Sequence, residues 1–320
     1  MRALLGLAGF EHSAAAGLYV ALAGGSGIAQ RPVRRLNSVV DGGDGDEALL
    51  VDCDANLLHA DLQNDLELHL ETASSVGVKQ LVVPGSTVED SRGALTLAKS
   101  KPNVVFPTAG VHPYHVRDCG ELGEAMEEIQ RLARDPAVRC VGECGLDFSE
   151  GFPPAEAQLP WFERQVQIAC EMGKPLFLHE RKAFSPFIEV LRRLNDARGL
   201  PPCLVHCFTG TEEELRAYLD MGFFIGVTGF LCKKKHGESL REVVKLVPLD
   251  RLVVETDAPY LGFPGCREGH PKPSRQYPNV PSSLPAVVRA VAECLELPYA
   301  RVAAGTAETA RAFFDMDVPP

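Results

Sequence analysis

The sequence predicts a single-domain α/β protein, a (β/α)8 barrel of the TIM type, on three observations. From residue 49 to about residue 314, eight short apolar runs alternate with longer segments of helical period. The notable polar residues fall at the ends of those runs, where barrel enzymes build their sites. No Gly-x-Gly-x-x-Gly opens a helix after the first run, which argues against an open doubly wound sheet holding a dinucleotide. At 320 residues and 45% hydrophobic, the chain can bury a core of this size.

Predicted strands cover 49–53, 80–84, 104–111, 138–143, 175–179, 203–207, 222–228 and 251–256. Most are near-continuous runs of Val, Leu, Ile and Phe, as strands buried on both faces are. The first delivers Asp52, Asp54 and Asn56, and the second ends at Ser86. The third ends at His112, with His115 beyond it, and the fourth gives Glu143 and Asp147. His179 and Arg181 follow from the fifth, and His206 from the sixth. The seventh ends in Thr228-Gly229, and the eighth in Glu255 and Asp257. Between strands, Glu121–Arg134, Glu156–Met172, Phe187–Asp196, Glu212–Met221 and Ser239–Val247 carry apolar residues at helical spacing.

The first 48 residues read differently. They are rich in Ala, Gly and Leu, set Arg2, Arg31, Arg34 and Arg35 against Glu11 up to residue 40, and close on an acidic Gly/Asp linker at 41–46. This predicts a flexible extension, with an organellar transit peptide as the alternative. The catalytic barrel is then expected over residues 49–320, in the cytoplasm or nucleus, or in a mitochondrion or plastid if the extension is a targeting segment. No run approaches the roughly 18 apolar residues of a membrane span, so no membrane partner is expected. The ten cysteines include no Cys-x-x-Cys pair and read as free thiols in a reducing compartment. Cys144 and Cys207 each adjoin a candidate ligand. A net charge of −11 excludes a stoichiometric nucleic-acid coat, though not an enzyme that meets phosphate through metals and a basic rim.

Glu143, His179, His206 and Asp257 give the pattern its chemistry. Carboxylate and imidazole ligands on separate rigid strand ends can converge on one or two divalent cations. Such cations activate water and neutralise charge on a phosphoryl or carbonyl group, so the pattern points to a metal-dependent hydrolase.

Six segments, in order, closely resemble the TatD family of metal-dependent deoxyribonucleases. They are Thr108-Ala-Gly-Val-His-Pro113, Val141-Gly-Glu-Cys-Gly-Leu-Asp-Phe148, Leu178-His-Glu-Arg181, Val205-His-Cys-Phe-Thr-Gly210, Gly226-Val-Thr-Gly229 and Val254-Glu-Thr-Asp-Ala-Pro-Tyr260. The resemblance implies an amidohydrolase-type barrel, two Mg²⁺ or Mn²⁺ ions with Zn²⁺ as the alternative, and 3′→5′ exonuclease action on DNA or RNA. It also implies links to DNA repair and DNA degradation. By this resemblance Glu143 bridges two metals, His179 and His206 are imidazole ligands, Asp257 is a ligand and proton acceptor, and His112 contacts the scissile phosphate.

The chain departs from the family pattern in three places. Asp52-Cys-Asp-Ala-Asn56 replaces the Asp-x-His-x-His of many relatives, as in the branch without strand-one histidines. Asp54 and Asn56 are therefore expected as oxygen ligands, tilting the site toward Mg²⁺ or Mn²⁺, with Asp54 as a loop cap or as a hydrogen-bond partner of a ligand the equal alternative. Pro278-Asn-Val-Pro281 stands for the usual Arg-Asn-Glu-Pro, with Arg275 as a substitute, and Thr309 stands for a C-terminal Asn. Arg181, Lys182, Lys233, Lys234, Lys235, Lys272 and Arg275 form a predicted basic rim for substrate, and Phe148, Phe152, Phe208, Phe230 and Tyr260 are candidate base-stacking residues. The expected activity is 3′→5′ exonucleolysis of single-stranded or frayed DNA ends. A metal-dependent ester or amide hydrolase, such as an aminoacyl-tRNA deacylase, and a non-catalytic nucleic-acid-binding barrel are the alternatives.

Overall fold

The computed structural model describes residues 49–268, 270 and 278–319. The expected N-terminal extension, Lys272 and Arg275 lie outside the described residues. Eight parallel strands form one sheet in chain order: β1 (Leu50–Asp52), β2 (Val78–Val83), β3 (Val105–Ala109), β4 (Cys140–Asp147), β5 (Leu176–Arg181), β6 (Cys203–Val205), β7 (Phe224–Val227) and β8 (Leu252–Val254). Just past the last strand the sheet closes on the first: the Cys53 amide bonds Val254, Asp257 bonds Asp54 at 2.9 Å, and Asn56 bonds Ala258 at 2.8 Å. The result is the expected barrel.

Ten helices among the described residues cover the outside and the base. Those on the first half are α1 (Ala60–Gln63), α2 (Leu66–Ser75), α3 (Val88–Ser100), α4 (Leu122–Ala133) and α5 (Ala155–Met172). The second half adds α6 (Phe184–Arg198), α7 (Glu212–Asp220), α8 (Glu238–Val244), α9 (Leu284–Leu295) and α10 (Tyr299–Phe314). Each predicted helix is present within a few residues. Helix α7 begins with a capping box, in which Thr211 accepts from the Glu214 amide and Glu214 reaches back to the Thr211 amide.

Side chains alternate across each strand, and the two faces form two cores. One face packs on the helices. The other fills the barrel: Val51, Val82, Phe106, Cys140, Phe177, Leu204, Phe224 and Val253 meet Ala307, Ala310, Phe313 and Phe314 of α10, which stops the base. The opposite mouth is left to polar residues. Phe177 carries the floor of that mouth, its ring 4.9 Å from the His206 imidazole. A buried Phe of this kind contributes about 3–5 kcal/mol against truncation.

Three strand ends differ from expectation for a physical reason. β4 runs on to Asp147 instead of ending at Glu143. Val141 pairs with Leu176 but Cys144 with Leu178, so one extra residue sits in β4, a bulge at Gly142-Glu143 that re-aims Glu143. Gly142 has φ +136°, and an added Cβ would meet the Phe177 carbonyl oxygen at 2.1 Å. β6 and β8 end early because Cys207 and Asp257 take φ of +47° and +53°, which breaks the ladder and turns the chain over the mouth. Such left-handed non-glycine residues cost about 1–3 kcal/mol and gather at functional sites.

Candidate metal centre

Glu143 is the hub. Its Oε1 lies 2.7 Å from His206 Nε2, 3.0 Å from His179 Nδ1 and 3.5 Å from His112 Nε2. His179 Nδ1 and His206 Nε2 are themselves 3.2 Å apart. The outer nitrogens of those two rings face carboxylates: His179 Nε2 is 3.2 Å from Asp147 Oδ2, and His206 Nδ1 is 3.1 Å from Asp54 Oδ2 and 3.6 Å from Glu255 Oε1. A carboxylate on the outer nitrogen keeps the ring proton there and turns the inner lone pair toward the centre, as in metal-binding imidazoles. Three acceptor atoms within 2.7–3.2 Å of one another then share that centre, which calls for positive charge.

In the chain alone, protons on the imidazoles supply that charge. Burial opposes ionisation of Glu143, yet the His206 and His112 imidazoles, with hydrogen bonds from His179 and His206, hold its carboxyl well below the usual range. Burial likewise opposes charge on His206, but Glu143, Asp54 and Glu255 outweigh it and keep the ring well above its ordinary value. Asp54 is fully buried, and desolvation pushes its carboxyl far up. Asp54 Oδ2 and His206 Nδ1 face each other without hydrogen-bond alignment, so Asp54 backs that ring by position and not by a formed hydrogen bond, and Glu255 Oε2 makes no hydrogen bond either. Two groups, Asp54–Glu143–His206 and His112–Glu143–His179, have ligand atoms close enough to hold an ion each. The donor set of carboxylate oxygens and imidazoles suits divalent cations.

His112 plays a different part. It caps the turn at Pro113–His115, with Nδ1 accepting from the Tyr114 amide at 3.1 Å. That bond assigns the proton of the neutral ring to Nε2, which therefore donates toward the centre. Burial pushes the imidazole down to about 3, so it stays neutral at ordinary pH. Its geometry is that of a hydrogen-bond donor, not of a lone-pair ligand.

At the lip, Asp257 is half-buried and accepts from Asn56 Nδ2 at 3.1 Å, and Asn56 also reaches Asp54 Oδ1 at 3.3 Å. The Asn56 amide nitrogen, not its oxygen, faces the carboxylates, so Asn56 positions Asp257 in this arrangement. Burial pushes the Asp257 carboxyl up to about 7; His206 opposes the rise, and Glu143 and Glu255 add to it. Arg181 and Lys182 are exposed at the end of β5. Lys234 and Lys235 are exposed after β7, while Lys233 packs its Nζ 5.3 Å over the Phe230 ring. Arg241 braces this loop by donating to the Leu231, Lys233 and Lys234 carbonyls.

Several contributors escape the sequence reading, which places Asp147, Glu255 and Asp52 at strand ends without their partners. Asp52 is buried and accepts from the Thr256 amide at 2.8 Å and the Thr256 hydroxyl at 2.6 Å, tying β1 to the Asp257 turn. Asn279 is fully buried and donates to the Thr256 carbonyl at 2.8 Å, so the altered segment after β8 holds the same turn. Thr309 donates to the Leu249 carbonyl at 3.0 Å, away from the centre. Gln158 and Gln165, seven apart on α5, are buried clamps: Gln158 grips the Asp147 backbone and Gln165 the Val111 backbone beside His112. The thiols of Cys144 and Cys207 are raised, first by burial, which leaves them inert.

The family model of TatD related DNase matches residues 51–315. The chain belongs to the TatD family. A 3′-5′ ssDNA/RNA exonuclease TatD of Erwinia tasmaniensis is 38% identical over 267 residues, covering 83% of this chain and 100% of that protein. The protein of the same name from Erwinia billingiae is 40% identical over 243 residues, covering 76% and 90%. Among solved structures, the TatD homologue YJJV of Escherichia coli K12 superposes with a TM-score of 0.74 at 24% identity, over 84% of this chain and 99% of that one. A hydrolase TatD family protein of Entamoeba histolytica gives 0.72 at 23%, over 83% and 98%. At that identity the solved structures speak for the TatD fold. No helix among the described residues is long and apolar enough to cross a membrane.

Proposed function

We propose that this protein is a metal-dependent nuclease that removes nucleotides from the 3′ ends of single-stranded or frayed DNA, with RNA as a second substrate. The observation that carries the reading is the convergence of His179 Nδ1 and His206 Nε2 on Glu143 Oε1, each ring backed by a carboxylate. Glu143, His179, His206 and Asp257, with Asp54 on the strand-one side, would hold two divalent cations, Mg²⁺ or Mn²⁺ in preference to Zn²⁺. Bound there, such a pair activates water and neutralises charge on the scissile phosphate.

The chain's own residues do the rest. His112 donates its Nε2 proton in a hydrogen bond to a phosphate oxygen and remains neutral while doing so. Asp257, with a carboxyl near 7, accepts the proton of the attacking water, and Asn56 keeps its oxygens aimed. Arg181 and Lys233–Lys235 meet the phosphates upstream, and Arg275 is assigned to the same rim from sequence. The relatives named as ssDNA/RNA exonucleases support the substrate class.

The test uses 5′-labelled single-stranded DNA, the same strand blocked at its 3′ end, and a closed circle, with Mg²⁺ or Mn²⁺ and with EDTA. Progressive shortening of the open strand, resistance of the other two and loss of activity in EDTA are expected. Glu143→Ala and Asp257→Ala each lower turnover by at least about 100-fold, since each removes several kcal/mol of transition-state stabilisation. Rapid cutting of the circle overturns the exonuclease reading, and variants within about threefold of wild type overturn the site.

A further inference from the structure

We propose that Tyr114 and Phe152 form a stacking platform for the unpaired base at the end of the strand being cut, a subsite that rests on the nuclease reading above. Tyr114 is the one aromatic among the most exposed large apolar side chains of the described residues, at 50%. Its ring contacts Phe152 at 5.2 Å and His115 at 5.1 Å, both edge-on. Phe152 in turn lies 6.0 Å from His112, whose ring is 4.5 Å from His179. A row of rings therefore runs from solvent to the metal centre without a break.

A half-exposed tyrosine is ordinary by itself; what points to an occupant is the row it begins and where that row leads. It ends at His112, 3.5 Å from Glu143 and the donor assigned to the scissile phosphate. With a phosphate at His112, the neighbouring part of the same strand lies along this row, and a flat face is what the exposed ring can stack on. A nucleobase is such a face, and it is joined to that phosphate through its sugar. On the flanks, exposed Arg117 in the same turn adjoins exposed Asp118, exposed Glu150 precedes Phe152, and Arg181, also exposed, accepts from the Phe148 amide at 3.0 Å through its carbonyl, so the cation nearest the row on the β5 side is Arg181. Aromatic faces beside cations are the general means of holding single strands without reading sequence.

The platform is also pre-set. The Tyr114 amide donates to His112 Nδ1, the His115 amide to the His112 carbonyl at 2.9 Å, and the Phe152 amide to the Ser149 carbonyl at 3.3 Å. Backbone held in this way loses little freedom when a base docks. One consequence is structural economy: the hydrogen bond that sets the His112 tautomer is donated by the platform residue Tyr114 itself.

The experiment compares two 5′-labelled oligonucleotides that differ in their last two nucleotides, one bearing bases and one carrying abasic sugars there. The wild type should show a KM about tenfold higher for the abasic end, the order expected for one lost stacking contact. In Tyr114→Ala, and in Tyr114→Ala combined with Phe152→Ala, that ratio should fall below about twofold, while Tyr114→Phe and Phe152→Tyr should retain it. A ratio near one for the wild type, or one unchanged in the Ala variants, overturns the platform. No hydrolysis of either oligonucleotide by the wild type in Mg²⁺ or Mn²⁺ overturns the nuclease reading and the platform together.

Discussion

Asp147→Asn isolates how the fold prepares an imidazole for its task. The carboxylate is 1% exposed, with Oδ2 at 3.2 Å from His179 Nε2 and Oδ1 accepting from the Ser149 amide at 2.7 Å. Both oxygens are thus acceptors. An amide offers one acceptor and one donor, so the substituted side chain can serve Ser149 or His179 but not both. If its NH2 faces His179, the ring must move its proton to Nδ1, and the lone pair that points at Glu143 is lost. If its oxygen faces His179, the Ser149 amide is left opposed by a donor.

The size of the effect can be bounded. Two full charges about 4 Å apart at an effective dielectric of about 20 interact by about 4 kcal/mol. An imidazole bound to a cation carries part of a charge, so the loss is about 1.4–2.7 kcal/mol, or roughly 10–100-fold in metal affinity, the usual range for outer partners of a ligand. The fold should survive, because Gln158 grips the Asp147 backbone rather than its side chain. Calorimetric titration with Mn²⁺, alongside the Mn²⁺ dependence of single-strand degradation, should show both midpoints raised by that factor. Midpoints within twofold of wild type would mean that Asp147 does not orient His179, and the carboxylate-backed imidazole argument would fail.

Two other outcomes follow from the same geometry. Asp54→Ala should raise the Mg²⁺ or Mn²⁺ concentration needed for activity by about tenfold with the barrel intact, because a buried carboxylate facing His206 and Glu143 is removed; coincident metal-titration curves would show that Asp54 is no part of the metal site. Replacing Lys233, Lys234 and Lys235 together with Ala should raise KM more than it lowers kcat and flatten the salt dependence of cleavage, and an unchanged slope would return this loop to an ordinary solvated one.

The barrel was legible because strands buried on both faces are mostly apolar, which marks most of the eight, and their regular alternation with helical segments supplies the rest. The bulge was not, because a glycine in a strand does not say what it permits: Gly142 permits the bulge and Gly145 a close approach, where a Cβ would lie 1.7 Å from the His179 carbonyl oxygen. Glu143, His179, His206 and Asp257 stood out as charges at the ends of apolar runs. Their partners did not: Asp147 lies four residues beyond Glu143 and Glu255 two before Asp257, and such spacing names no partner on another strand; only pairing across β4 and β5 brings Asp147 to His179. Gln158 and Gln165 carried a signal that was available: both share the inner face of α5 with Trp161 and Phe162, and a polar residue in such a stripe must have a buried partner. Here the partner is backbone, which no side-chain pattern announces.

The same physics explains how a chain of net charge −11 can be fitted to a polyanion. Asp54, Glu143, Asp147, Glu255 and Asp257 crowd around two imidazoles in a mouth floored by Phe177, an arrangement that repels phosphate as it stands and is costly to bury unpaired. Divalent cations held at its centre would reverse the local sign without altering the rest of the surface. Exposed Arg181, Lys182, Lys234 and Lys235 then extend that reversed field along the rim, while the acidic exterior elsewhere resists indiscriminate binding of nucleic acid. On the proposed reading, attraction would then be confined to the face where chemistry can occur, and would depend on the metal being bound.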